Sequence, residues 1–392
     1  MDKFKNTIKR IIGAKHFKRY LVGSLVLIIG VSLILTSALG GSAPDVVESP
    51  SIEHTPAPEG TDEVEQPTPT PDADIYVPEL EILEEWLPVN QLTGEPMDIA
   101  LTRNRPFAFV LNNMVVALPQ AGVSHVDILY EFPVEGGITR MLAIIQDISE
   151  LDTIGSMRSA RYYFVSVAES YDAIFAHAGD SYVARAHMSN RGTDNLNGVA
   201  GAARFFMRDP ARRSSMGFEH SMMAVGERLY EGIPNFGFRT VHESDFNQTL
   251  LFTENAAPTN GGAAREITAR ITASKNSYFT YYPEYGQYFM RQFNRDFIDS
   301  ETDERVGFTN ILLVHTSVTA RPGDRAGLRM VETTGEGTGF FINGGRYTEI
   351  RWSRADETAP FEYTLLDGSP LYLGVGRTFI GIVPRELEHD FS

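Results

Sequence analysis

The sequence predicts an α+β protein in which an N-terminal membrane helix and a disordered stalk precede a globular part, first α/β and then mainly antiparallel β. Three observations predict this fold class. A basic segment is followed by an uncharged apolar run, and a stretch rich in Pro, Thr and acids comes next. The remaining chain alternates strand and helix patterns before it becomes a succession of strands.

Residues 1–19 carry seven Lys and Arg residues against one acid, which is typical of a cytoplasmic basic tail. Residues 20–40 are apolar and uncharged. At about 1.5 Å per residue, this run is long enough to cross a hydrocarbon core of about 30 Å. We therefore predict a single-pass cell-membrane protein with its N-terminus inside and its globular part outside. The alternative is cleavage near Gly40, since Ala38-Leu39-Gly40 is a small-x-small site.

Residues 41–88 contain many Pro, Thr and acidic residues, and no Lys or Arg stands between Tyr20 and Arg103. Such a segment cannot bury enough apolar surface to offset the entropy of ordering it, so we predict a disordered stalk. The net charge of −17 argues against nucleic-acid binding by the globular part. The chain has no cysteine, which excludes disulfides, thiolate nucleophiles and attachment of a lipid to cysteine.

Residues 90–235 are predicted to form an α/β domain. Short apolar runs at 107–111, 126–132, 141–146 and 173–178 are typical of buried strands, and a helix is expected to follow Gly155-Ser156. Residues 249–387 are predicted to form a β-rich domain with turn signals such as Asn343-Gly344-Gly345. The Gly-rich segment Gly335–Gly339 is predicted to be a mobile hairpin loop.

A series of motifs in a fixed order carries a family resemblance. The motifs include Pro119-Gln120-Ala121-Gly122, Gly136-Gly137-Ile138-Thr139-Arg140, Arg158-Ser159-Ala160-Arg161, Ala176-His177-Ala178-Gly179 and Arg377-Thr378-Phe379-Ile380. Over about residues 90–386 the chain resembles the YerB-like family of Gram-positive envelope lipoproteins, a domain of unknown function (3048) with N- and C-terminal parts. The resemblance implies an exported two-part protein and brings no established reaction. This chain departs from it by lacking the lipid-bearing cysteine, and by having His220-Ser221 where the family tends to have His-Asn.

The densest group of charged residues lies in the first part and is flanked by glycines, which permit close approach of a ligand to the backbone. The ligand-binding candidates are Glu131, Arg140, Arg158, Arg161, Asp180 and His220, and the catalytic candidates are His177 and Glu135. Three arginines near a helix start predict an anion pocket. The competing interpretation is a structural ion-pair network, with Arg140 on Glu131 or Glu135, and Arg158 and Arg161 on Asp172.

The leading functional hypothesis is a binding or scaffold module for an anionic or glycan-linked ligand of the cell wall or envelope. The second is a metal-independent envelope hydrolase or transferase that uses His177 and a carboxylate with the arginines as an anion pocket. No P-loop, dinucleotide fingerprint or nucleophile elbow occurs in the required context, and the histidines show no paired metal-ligand spacing, so we expect no cofactor and no metal. The expected partner is the membrane, through the N-terminal helix. Protein partners are not predicted.

Overall fold

The structure is a computed structural model that describes residues 88–392. The predicted tail, membrane anchor and all but the last residue of the stalk lie outside this range. Within it, every helix is too short or too polar to cross a membrane. The described residues all belong to one compact unit, a mixed α+β structure of mostly strands and few helices.

The first part of the described chain mixes strands with short helices. Its elements are β1 (Phe107–Asn113), β2 (Ile128–Pro133), β3 (Thr139–Ile145), β4 (Thr153–Gly155), α1 (Tyr162–Ser170), β5 (Ile174–His177), α2 (Tyr182–Arg191), β6 (Asn195–Asn197), β7 (Phe206–Arg208), α3 (Pro210–Ser215), β8 (Met222–Val225) and α4 (Gly226–Gly232). Short 3-10 turns lie at Val115–Ala117, Val123–His125, Glu135–Gly137, Ala203–Phe205, Phe218–His220 and Ile233–Asn235.

The second part is built from strands. They are β9 (Leu251–Thr253), β10 (Gly262–Ala263), β11 (Glu266–Thr272), β12 (Lys275–Tyr282), β13 (Gln287–Gln292), β14 (Arg295–Asp296), β15 (Gly307–Phe308), β16 (Asn310–Thr316), β17 (Val318–Ala320), β18 (Arg329–Val331), β19 (Gly335–Asn343), β20 (Arg346–Arg354), β21 (Glu362–Leu365), β22 (Tyr372–Gly374), β23 (Thr378–Pro384) and β24 (Asp390–Phe391).

An eleven-stranded sheet takes strands from both parts, in the order β10-β20-β19-β16-β23-β2-β3-β1-β5-β6, with β21 beside β20. β23 pairs in parallel with β16 on one side and with β2 on the other. β3 runs antiparallel between β2 and β1, and β1 pairs in parallel with β5. Consequently β16, β23, β2, β1, β5 and β6 all point the same way, and their carboxyl ends share one edge of the sheet, which we call the carboxyl edge.

The centre of this sheet is covered on both faces. All residues of β1 and β3 are buried, which explains their continuous apolar sequences. Alternate residues of β1 enter two different apolar clusters, Phe109 and Leu111 on one face and Ala108 and Val110 on the other. The second face is covered by α1. The first is covered by a six-stranded sheet in the order β14-β13-β12-β11-β24, with β15 beside β13.

The predicted strands of the first part are confirmed to within a few residues, but the predicted helix start is wrong. Residues 157–160 are extended, because the Arg158 amide donates to the Val110 carbonyl and the Ala160 amide to the Gly179 carbonyl, each at 2.9 Å. These bonds tie the segment to the middle of β1 and to the residues just after β5, so helical bonding begins only at Tyr162.

The prediction of a mobile loop at residues 335–339 is also wrong, since this segment is the first half of β19. A Cβ at Gly337 would lie 2.5 Å from Trp352 Nε1, and one at Gly339 would clash with the Leu313 carbonyl oxygen. Gly337 and Gly339 are therefore needed for the close approach of neighbouring strands rather than for a turn.

Candidate functional site

Most of the predicted site residues lie at the carboxyl edge of the large sheet, where open α/β sheets bind their ligands. Asn112 and Asn113 end β1, and His177 ends β5. Arg140 is the second residue of β3 and pairs with Asn112 across the β1–β3 register. The fold thus brings together, at one edge, side chains that are up to 65 residues apart in the sequence.

Arg140 is the most deeply buried of the three predicted arginines, with 8% of its surface exposed. Its Nη1 donates to the Ser159 carbonyl at 2.6 Å, and no carboxylate of residues 88–392 lies within 4.0 Å of its guanidinium. Burial, together with smaller contributions from the positive charges of Arg161 and Arg158, lowers the pKa of Arg140 to about 9 against the opposing charge of Glu135. Arg140 is therefore a buried cation next to two others.

Arg161 is held by Glu135 through two hydrogen bonds. Arg161 Nε lies 2.8 Å from Glu135 Oε1, and Nη2 lies 2.6 Å from Oε2. Burial alone would raise the pKa of Glu135, but the hydrogen bonds and charge of Arg161 outweigh it and lower that pKa from its usual value. A carboxylate held ionised in this way orients Arg161 and is poorly suited to take up a proton.

Arg158 has a weaker partner. Its Nη1 lies 3.3 Å from a carboxylate oxygen of Glu219, whose side chain is 73% exposed. The adjacent His220 places Nδ1 2.8 Å from Asn112 Nδ2, so the site includes His220 and the end of β1. Partial burial lowers the pKa of His220, and the charge of Arg158 lowers it further. His220 Nδ1 accepts the amide proton, which is the arrangement expected of a neutral imidazole.

His177 is fully buried and both of its ring nitrogens have a partner. Nδ1 lies 2.7 Å from the Gly179 carbonyl oxygen and Nε2 lies 3.2 Å from Asn195 Oδ1. Burial lowers the pKa of His177. No carboxylate is among its hydrogen-bond partners in the described chain, so the geometry favours a structural role. The neighbouring Asp180 pairs with Arg185 at 2.7 Å and accepts from Asn197.

Glu131 belongs to a separate, wholly buried polar network that does not include the three arginines. It accepts hydrogen bonds from Thr139 at 2.6 Å and Asn113 at 2.9 Å, and it forms an ion pair with Lys275 at 3.1 Å. Ser277 donates to its second carboxylate oxygen at 2.6 Å. Lys275 was missed as a site residue although a signal was present, since it is the only lysine in residues 20–392.

None of the ion pairs expected from the structural interpretation forms among residues 88–392. Arg161 pairs with Glu135, whereas Asp172, proposed there for Arg158 and Arg161, instead binds Arg105, Arg239 and His242. Asp172 therefore belongs to a network at the opposite end of β5. Among the described residues, no group of three or more His, Asp or Glu side chains is placed to hold a metal ion.

Comparisons with known proteins agree with the two-part organisation of this sheet. The family model for the N-terminal domain of DUF3048, a protein of unknown function, matches residues 92–239, and the model for its C-terminal domain matches residues 267–380. The chain is 29% identical over 299 residues to "Putative lipoprotein YerB" of Bacillus subtilis (strain 168), covering 75% of this chain and 85% of that protein. It is also similar to the crystal structure of the YerB protein from Bacillus subtilis, with a TM-score of 0.67 and 28% identity over 78% of this chain and 99% of that one. This chain therefore belongs to the YerB-like DUF3048 family.

Proposed function

We propose that this chain is an extracytoplasmic protein of the cell envelope whose globular part binds an anionic ligand at the carboxyl edge, through Arg140 and Arg158. The observation that carries the proposal is the Arg140 guanidinium, which is buried beside two other guanidinium groups without a carboxylate partner in the described chain.

The charge balance of the cluster favours an anion. Glu135 neutralises Arg161 through two short hydrogen bonds, so that pair leaves no net charge. The Arg158–Glu219 pair is long, and its acid is largely exposed, which makes it weak and easily replaced by a ligand. A bound anion that bridges Arg140 and Arg158 would offset both the desolvation of Arg140 and the repulsion among the three cations.

The extracytoplasmic location rests on residues 1–40 and on one relative. The basic tail and the apolar run after it favour export with the N-terminus inside. The similar Bacillus subtilis protein is named as a lipoprotein, which is a class of envelope protein. Because this chain has no cysteine to carry a lipid, its own attachment to the membrane is proposed to be the apolar run at residues 20–40.

The test is the melting temperature of the full-length protein in a non-ionic detergent, with sodium phosphate or sodium chloride at matched ionic strength. Phosphate is expected to raise the melting temperature of the wild type by mass action. Arg140→Met and Arg158→Met should each abolish this rise, since methionine keeps the apolar stem and removes the guanidinium. Arg158→Met also keeps the test valid if Arg140→Met does not fold.

The matched control is Arg295→Met, at an exposed arginine on β14, which should keep the phosphate effect. A wild type that phosphate does not stabilise more than chloride would contradict the proposal. So would a phosphate effect that survives Arg158→Met. A purely structural role for the cluster predicts instead the same melting temperature in phosphate and in chloride.

A further inference from the structure

A cavity lies farther along the same carboxyl edge, in the part of the sheet built by residues 315–385. Its volume is about 520 Å³, within the range of small-molecule sites, which is roughly 300–1,000 Å³. His315 near the end of β16 and Arg385 just after β23 line it from the parallel strands, while Gly337 and Trp352 contribute from β19 and β20. Like the arginine cluster, the cavity lies where parallel strands end. The sequence predicted no role for the residues that line it.

The cavity owes part of its shape to Gly337. Trp352 Nε1 donates to the His315 carbonyl at 3.0 Å, and a Cβ at position 337 would lie 2.5 Å from that nitrogen and 2.8 Å from the carbonyl oxygen. Any other residue at this position would push the indole away from the strand end. The indole is buried in the apolar cluster on the opposite face of the sheet from Arg351 and Ser353, so it offers no open face for stacking in the cavity.

The hydrogen bonds of His315, which lines this cavity, define where its proton lies. The Arg270 amide donates to His389 Nδ1 at 3.1 Å, so a neutral His389 carries its proton on Nε2. His389 Nε2 lies 3.0 Å from His315 Nε2 and therefore donates to it, which leaves the proton of His315 on Nδ1. The same arrangement excludes a metal held between the two Nε2 atoms, because one of them is protonated.

The charged groups around the cavity are mainly donors. Arg351 forms no hydrogen bond or ion pair with the described residues, and Arg385 reaches Glu332 only at 3.6 Å with both side chains exposed. Glu336 is the one carboxylate of the lining. Hydroxyl groups of Thr338 and Ser353 complete a lining that can bind both an anion and neutral hydroxyls.

We propose that this cavity binds a monosaccharide phosphate, with the phosphate on Arg351 and Arg385 and the sugar hydroxyls on Glu336, Thr338 and Ser353. The two guanidinium groups suit a phosphate, which accepts paired N–H donors. The single carboxylate and the hydroxyls suit a ligand that is polyhydroxylated as well as charged. This site is separate from the arginine cluster of the proposed function, and neither depends on the other.

The test is isothermal titration calorimetry of the full-length protein with glucose 6-phosphate, glucose or inorganic phosphate. The detergent is a polyoxyethylene ether, because a sugar headgroup would compete. Glucose 6-phosphate is expected to bind at least tenfold more tightly than either of the other two ligands. Arg351→Met should weaken its binding at least tenfold, and Arg385→Met should weaken it as well, whereas Arg295→Met should leave it unchanged. Both cavity arginines are exposed, so these variants should fold.

Three outcomes would overturn the proposal. Inorganic phosphate that binds as tightly as glucose 6-phosphate and is weakened equally by Arg351→Met would mean that the sugar is not recognised, and equal binding of glucose would mean that the charge is not. Binding of glucose 6-phosphate that is lost in Arg140→Met but kept in Arg351→Met would place the ligand at the arginine cluster instead. That last result would leave the proposed function standing. Binding of glucose 6-phosphate that is lost in Arg351→Met but kept in Arg140→Met would support the cavity, whether or not inorganic phosphate binds at the arginine cluster.

Discussion

Lys275 Nζ lies 3.1 Å from Glu131 Oε1, and both side chains are buried, so the only lysine of residues 20–392 forms an ion pair inside the protein. The pair joins β12 of the second part to β2 of the first part. Burial lowers the pKa of Lys275, and Glu131 opposes this effect. Ser277 bridges the two, since it accepts from Lys275 at 2.8 Å and donates to Glu131.

Lys275→Met should therefore destabilise the protein by about 3–5 kcal/mol, because it leaves the Glu131 carboxylate buried without its cation. Adding Glu131→Gln to Lys275→Met should restore most of the loss. Urea unfolding of the wild type, both single variants and the double variant would measure the coupling. A double variant no more stable than Lys275→Met would show that the two charges do not interact.

The stability of the protein should fall as the pH is lowered from 7 to 5, in part because of His389. Burial, together with smaller contributions from the charges of His315 and Arg270, lowers the pKa of His389 to about 3 against the charge of Asp390. Since the unfolded value is about 6.5, the unfolded chain binds more protons between these values. The stabilisation is therefore complete above about pH 6.5 and is lost as the pH falls toward 3.

His389→Asn tests this account, because asparagine keeps an acceptor for the Arg270 amide but does not titrate. The drop in unfolding free energy between pH 7 and pH 5 should be about 1–2 kcal/mol smaller in the variant than in the wild type. Equal slopes for wild type and His389→Asn would mean that His389 titrates normally in the folded protein.

Removal of residues 1–85 should leave a soluble, folded protein. The first described backbone contact is the bond from the Met97 amide to the Pro88 carbonyl, and Asn90 Nδ2 donates to Asp127 at 3.0 Å. A chain that begins at residue 86 keeps both contacts and should show a cooperative thermal transition. A chain that begins at residue 96 loses Asn90 and the buried Leu92, and it should melt at a lower temperature. Equal melting temperatures would show that this segment contributes nothing to the fold.

Residues 1–19 are expected inside the cell and the globular part outside it, because the basic excess is confined to the tail. Protease added to intact protoplasts should degrade the globular part. A cytoplasmic marker protein in the same sample should stay intact, which controls for leakage. Protection of the globular part until the membrane is broken would show that the orientation is reversed.

The sequence allowed the central strands of the large sheet to be predicted because they carry continuous apolar runs, whereas the short end strands β6 and β10 were not predicted. It misplaced the start of α1, because the extended form of residues 157–160 depends on carbonyl groups of Val110 and Gly179, which are distant in the chain. Gly337 and Gly339 were assigned to a loop because their contacts, too, are with residues that are distant in the chain. Their role is set by Trp352 and Leu313 on neighbouring strands, which a local pattern cannot show.

Clustering of the arginines was expected from the motifs, but their individual partners were not predictable. The sequence offered Glu131, Glu135 and Asp172 as equivalent acids, and only the fold assigns Glu135 to Arg161 and Glu131 to Lys275. The cavity near His315 gave no local signal at all. Its lining comes from five strands or strand ends between residues 315 and 385, which become neighbours only when the sheet forms.

The stability of the large sheet depends on β23, because this strand lies at its centre. This strand lies between β16 and β2, yet it is encoded by residues 378–384, close to the C-terminus. A nascent chain that lacks these residues exposes the unpaired edges of β2 and β16, both of which are apolar strands prone to pairing with other chains. A premature stop before residue 378 should therefore yield a product that is removed by proteolysis rather than a shortened functional protein. Selection against truncated copies would then act through the order of translation itself, since the central strand is made after both of its neighbours.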